Sequence, residues 1–172
     1  MSIHGGSVRK GLGLKEKWCH KSILGYSDTE TVKLDFDDAS FKTVRFWARR
    51  AVRWFKLGGF IILKSSERCY HVIFDRRVSW SENMHILAWV SLLSHNKKAQ
   101  RYALMQCIKE SSTLRASPKK QKSSPRIVYR YGKQDEQISS FLHYRKLIKR
   151  ILYKSRAYFK RSTSESLTRV KR

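Results

Sequence analysis

Between residues 31 and 93 the hydrophobic period changes from segment to segment, and the order of those changes constrains the fold more than any other feature of the chain. TVKLDF (31–36) alternates Val32, Leu34 and Phe36 with polar or charged neighbours, the pattern of a strand with one buried face. Over 40–56 the period becomes helical: Val44, Trp47, Ala48, Ala51, Val52 and Phe55 form an apolar stripe, and Lys42, Arg45, Arg49, Arg53 and Lys56 fall mostly elsewhere. Asp38 or Ser40 can cap this helix, and Gly58-Gly59 ends it. FIILK (60–64) and YHVIFD (70–75) are short apolar strands joined by the polar SSERC, which reads as a hairpin. WSENMHILAWVSLL (80–93) is helical, with Ile86, Leu87, Val90 and Leu93 along one face.

The second half is less regular. YALMQCI (102–108) fits either the end of a helix or a buried strand. Residues 109–126 contain both prolines and many Ser and Lys, and read as a basic loop around a short strand near Thr113–Ala116. IVYRY (127–131) is a strand, and Asp135 opens a long helix with Ile138, Phe141, Leu142, Leu147, Ile148, Ile151 and Leu152 as its stripe. The domain reading is a flexible basic arm over 1–28, one α+β domain over 29–158, and a disordered basic tail over 159–172. The order strand, helix, strand, strand, helix opens an RRM-like (ferredoxin-like) α+β sheet with packed helices, here followed by a basic C-terminal helix.

The chain has 172 residues, of which 38 are Lys or Arg and 13 are Asp or Glu, a net charge of +25. Such a surplus repels itself and calls for a polyanion. The charge is spread over several segments and mixed with aromatic residues, which favours nucleic acid over a membrane surface. Arg45, Arg49 and Arg53 on the first helix, and Lys120, Lys122, Arg126 and Arg130 in the later loop and strand, are the expected phosphate contacts. No stretch has the length and apolarity of a membrane span, and MSIHGGSVRKGLG lacks the apolar core of a secretory signal. Cys19, Cys69 and Cys107 form no CxxC pair, and Cys19-His20 alone makes no metal site; a reducing, cytoplasmic compartment is expected.

Two features can carry chemistry. Alternation puts Asp35 and Asp37 of LDFDD on one strand face about 7 Å apart, at ~3.3 Å per residue. Paired carboxylates of this kind hold Mg²⁺ or Mn²⁺; the same pair also fits a polar strand end leading into a helix cap. His71 on the hairpin fits either a half-buried hydrogen-bonded histidine or a site residue.

Taken together, acid-x-acid on a strand, a helix, and a hairpin running from Ser-Ser to Tyr-His-Val resemble the archaeo-eukaryotic primase superfamily, which contains the primase-polymerases. The resemblance spans about residues 31–131 and implies a primase-palm type of sheet and metal-dependent nucleotidyl transfer in DNA replication, with DNA favoured over RNA. It implies that Asp35 and Asp37 are the catalytic, metal-binding carboxylates, with Mg²⁺ or Mn²⁺ as cofactor. Ser65, Ser66 and His71 would contact the phosphates of an incoming nucleotide. STLRASPKKQK (112–122) looks like the family's later segment, so Arg115 and Lys119 would lie near the triphosphate. The family also carries a third acid, on a strand facing the first two. The aligned residue here is Gln106; Glu110 would need a shifted alignment, and Asp135 comes late. The alternative is a non-catalytic DNA- or RNA-binding protein, or one held in a ribonucleoprotein, with base-stacking platforms among Tyr70, Phe74, Tyr129 and Tyr131.

Overall fold

The computed structural model describes residues 23–119 and 122–169, with side chains through Tyr153. The elements in order are β1 (Gly25–Asp28), β2 (Thr31–Phe36), α1 (Phe41–Phe55), β3 (Gly59–Ser66), β4 (Cys69–Arg77), α2 (Trp80–Leu93), α3 (Lys97–Lys109), β5 (Ser112–Arg115), β6 (Arg126–Gly132) and α4 (Gln137–Arg169).

The main sheet has the order β2-β4-β3-β6, and every neighbouring pair is antiparallel. Strands β2 and β3, joined by α1, therefore run parallel with β4 between them, a split β-α-β arrangement. A second sheet pairs β1 with β5. Among the described residues the architecture is α+β, with two antiparallel sheets and four helices, and is compatible with a ferredoxin-like fold.

Alternation sends the strand side chains to two different layers. Val32, Leu34, Phe36, Phe60, Ile62, Val72 and Phe74 meet Val44, Ala48 and Ala51 of α1 and Ile86, Leu87 and Val90 of α2. Their neighbours Ile61, Leu63 and Ile73 meet Leu114 of β5 and Ile138 and Phe141 of α4. Lys33, Asp35 and His71 share this second face.

Local chemistry sets the helix starts. Ser40 accepts from the Thr43 N–H (3.0 Å), Ser79 from Glu82 (3.2 Å) and Asn96 from Ala99 (2.8 Å). Helix α4 is capped from β4: the Asp75 carboxylate accepts the N–H groups of Asp135, Glu136 and Ile138 at 3.1, 3.2 and 3.1 Å. Gly59 and Gly132 face each other where β3 meets β6, and a Cβ on Gly59 would fall 2.0 Å from the Lys133 carbonyl oxygen.

Lys33 ties the two sheets together. Its ammonium is buried, donates to the Ser112 carbonyl at 2.9 Å, pairs with Asp28 at 2.8 Å and lies 4.8 Å from the centre of the Tyr26 ring. Burial pushes its pKa down to about 8, against the pull of Asp28.

Of the two alternatives for residues 102–108 the helical one holds, within α3 started by Asn96, while several other expectations change. Ser65 and Ser66 belong to β3, so the hairpin turn is only Glu67-Arg68, with Arg68 at a φ of 54°. Leu93, Leu147 and Ile151 are exposed rather than in their stripes. Gly25–Asp28, expected within the arm, is a strand; the rest of the arm through residue 22, including Cys19 and His20, lies outside the described residues. The backbone is helical to Arg169, where 159–172 was expected to be a disordered tail, and 170–172 lie outside the described residues. No helix among the described residues is long and apolar enough to cross a membrane.

Removing one partner of a buried ion pair typically costs about 3–5 kcal/mol. Because Asp28 stays partly solvated, Lys33→Ala is expected near the low end, about 3 kcal/mol in urea unfolding. A loss below about 1 kcal/mol would contradict the tie.

Candidate functional site

Beyond the end of β2, the second face of the sheet opens into a cleft of about 270 Å³. Asp35, Asp37, Ser65, Ser66, His71, Arg115 and Lys119, all singled out from the sequence, line it together. Lys122, Cys69, Thr113 and Leu114 complete the lining. Strand register explains the meeting: Asp35 pairs directly with His71 across β2 and β4, and Ser66 with Cys69 across β3 and β4. Strand β5 brings Arg115 from the second sheet.

Burial, reinforced by the Asp37 carboxylate, pushes the Asp35 pKa up to about 7, with Arg115 opposing. Its Oδ1 is buried and has no hydrogen-bond partner; His71 Nε2 lies 3.6 Å away. His71 is pushed the other way, to about 4, mainly by burial and then by Arg115. At neutral pH the imidazole is therefore uncharged, and it does not neutralise the carboxylate.

The rest of the cleft is held by backbone. Arg115 donates to the carbonyls of Ser117 (2.8 Å), Ser123 (3.0 Å) and Ser65 (3.2 Å), fixing its guanidinium where three segments meet. Lys119 and Lys122 exchange backbone hydrogen bonds at 2.9 and 2.8 Å, and the Lys122 ammonium reaches the Ser66 hydroxyl at 3.5 Å. Ser65 donates to the Cys69 carbonyl at 3.4 Å. The acidic loop is clamped by the Arg68 carbonyl accepting from the Ala39 N–H (3.0 Å), and by Arg68 and Asn96 donating to the carbonyls of Asp38 (3.1 Å) and Asp37 (2.9 Å). Asp38 itself turns to Lys98 at 2.7 Å and is not part of the cleft lining.

No family model, curated protein or solved structure matches the chain. The expected primase-polymerase resemblance therefore rests on sequence motifs alone, and the place expected for its third acid is not on a strand. Gln106 is not on a strand facing Asp35. It lies on α3, where its side-chain carbonyl accepts from the Thr113 N–H at 2.9 Å and its amide donates to the Tyr102 carbonyl at 3.1 Å. Glu110 caps the end of α3, and Asp135 precedes α4. None of the three lines the cleft.

Among the described residues no group of three or more His, Cys, Asp and Glu is placed to hold a metal ion. The donor set is two carboxylates, one with an unpartnered buried oxygen. That fits a hard cation such as Mg²⁺, which keeps waters and phosphates as its other ligands.

The expected nucleic-acid residues do not form one surface. Arg45, Arg49 and Arg53 lie on α1, across the sheet from the cleft. Arg49 donates to the Tyr129 hydroxyl at 2.9 Å and sits 5.1 Å from the Tyr131 ring centre; Arg45 is 5.7 Å from the rings of both Phe41 and Tyr129. Arg126 and Arg130 are exposed on β6, Arg130 bonded to Gln134, and Lys120 lies outside the described residues. Tyr70 and Phe74 are buried in the first core layer and offer no face to a base. Sequence reasoning missed Cys69 and Thr113 as lining residues, because strand register alone brings them there.

Since the folded Asp35 pKa exceeds the unfolded one, ionising this carboxylate opposes folding, and the penalty grows as pH rises from about 4 to about 7. With a chelator present, wild type should lose thermal stability relative to Asp35→Asn across that window. Parallel pH profiles for the two proteins would contradict the burial of an unpaired carboxylate.

Proposed function

We propose that the chain is a nucleic-acid-binding protein with a primase-palm type of sheet, whose cleft binds a nucleoside triphosphate with Mg²⁺ or Mn²⁺ and transfers the nucleotide to DNA during replication. The observation that carries this reading is the convergence of Asp35, Asp37, His71, Arg115 and Lys119, which are scattered along the chain, on one cleft.

Asp35 and Asp37 would hold the cation, which neutralises phosphate charge and orients the attacked phosphorus. Lys119, Lys122 and Arg115 supply fixed positive charge for the triphosphate, and the hydroxyls of Ser65 and Ser66 lie beside them. His71, uncharged and buried, holds an N–H for a phosphate oxygen without adding a charge that must be desolvated. In the reaction a 3′-hydroxyl displaces pyrophosphate in line. The cysteines described, Cys69 and Cys107, are free thiols, which suits the cytoplasm.

A second reading, binding without transfer, is favoured by one specific feature: the cleft lining holds two carboxylates and no third. In that reading the same charges hold a polyphosphate or a nucleic-acid backbone, and the protein coats nucleic acid or sits in a ribonucleoprotein.

Primer extension on single-stranded DNA with labelled nucleotides and Mn²⁺ separates the two. Nucleotidyl transfer requires incorporation by wild type and a fall of about 10²–10³-fold in Asp35→Ala, with salt-dependent DNA binding retained. Equal incorporation by both proteins would overturn the role of Asp35. DNA binding with no incorporation by wild type would select the second reading.

A further inference from the structure

Helix α1 carries two adjacent rows at a spacing of four residues, exposed except for the half-buried Arg45. One is Arg45, Arg49 and Arg53; the other is Phe46, Arg50 and Trp54. The helix contains no acid over its whole length. Phe46 is 51% exposed and Trp54 43%, and neither belongs to the packed core layers.

Single exposed apolar residues are ordinary on a protein surface, but this pair is organised. The Arg50 guanidinium lies 5.0 Å from the Phe46 ring centre and 4.8 Å from that of Trp54, which holds it between the two. Each ring is also braced from the core side. Trp47 meets Phe46 edge-on at 5.3 Å, and Trp89 of α2 meets Trp54 edge-on at 3.8 Å. The result is two rings about 12 Å apart along the helix, at ~1.5 Å per residue, set in a field of arginines.

We propose that this surface is a second nucleic-acid site, a platform on which the unpaired bases of a single strand stack while the arginine row holds its phosphates. Flat aromatic faces recognise bases of any sequence, and guanidinium groups recognise the backbone; an acid-free helix on a chain of charge +25 complements that polyanion. A duplex is excluded from the stacking contact because its bases are already stacked on one another. The platform lies on the helix layer, across the sheet from the cleft. It rests on the nucleic-acid-binding part of the reading above and is independent of the chemistry at Asp35.

Fluorescence anisotropy with a labelled oligothymidylate and a duplex of equal length, both with chelator present, tests it. Phe46→Ala and Trp54→Ala should each weaken single-strand binding by about 5- to 100-fold, with duplex affinity unchanged within twofold and Trp54→Phe close to wild type. Phe46 contributes nothing to the core layers, so Phe46→Ala keeps the test valid if Trp54→Ala misfolds. Unchanged single-strand affinity in Phe46→Ala, or an equal loss for the duplex, would overturn the platform. Failure of wild type to bind either nucleic acid would overturn the general reading as well, so the two failures are distinguishable.

Discussion

The pairing of β2 with β4 is the constraint on which the rest of the structure depends. Its register sets Leu34 beside Val72 on one face and Asp35 beside His71 on the other. A slip of one residue would turn the acid into the α1–α2 core and the leucine into the cleft. The apolar residues of both strands are thus what hold the polar pair in place. Asp75, farther along β4, positions α4 over the same second face through three N–H groups at the helix start.

Two charged side chains on β2, one buried and one half-buried, show how differently one face can treat them. The charge on Lys33 is met by Asp28 and the Ser112 carbonyl, and its work is to join the sheets. Two residues along the strand, Asp35 has a buried oxygen without a hydrogen-bond partner, 3.6 Å from a histidine that burial keeps uncharged. A satisfied buried charge is explained by the fold. An unpartnered carboxylate oxygen is not explained by the fold, and it is the feature on which the proposed cation site rests. Arg115, Lys119 and Lys122 line the same small cleft, and Arg115 is the cation whose charge acts on Asp35.

Much of this arrangement was legible in the sequence wherever a pattern repeats along the chain. The alternation of Val32, Leu34 and Phe36, and the stripe through Val44, Ala48 and Ala51, gave β2 and α1 with nearly correct ends. Long-range pairing was not legible. Nothing local says that β5 leaves the main sheet to pair with β1, or that β6 joins β3 at its edge. Gln106 was misplaced for a related reason: YALMQCI is apolar enough for a strand, and only the Asn96 cap upstream commits it to a helix. Phe46 and Trp54 lie off the helical stripe that contains Trp47 and Phe55, and only the structure shows their rings exposed around Arg50.

The central claim is that the cleft takes a cation and a triphosphate together. Its most direct test is calorimetric titration of a non-hydrolysable deoxynucleoside triphosphate, with Mn²⁺ and with chelator, into wild type and Asp35→Ala. The account requires micromolar affinity with Mn²⁺, weakened at least tenfold both by the chelator and by the substitution. Equal affinity with and without the cation, or no binding by wild type, would contradict it.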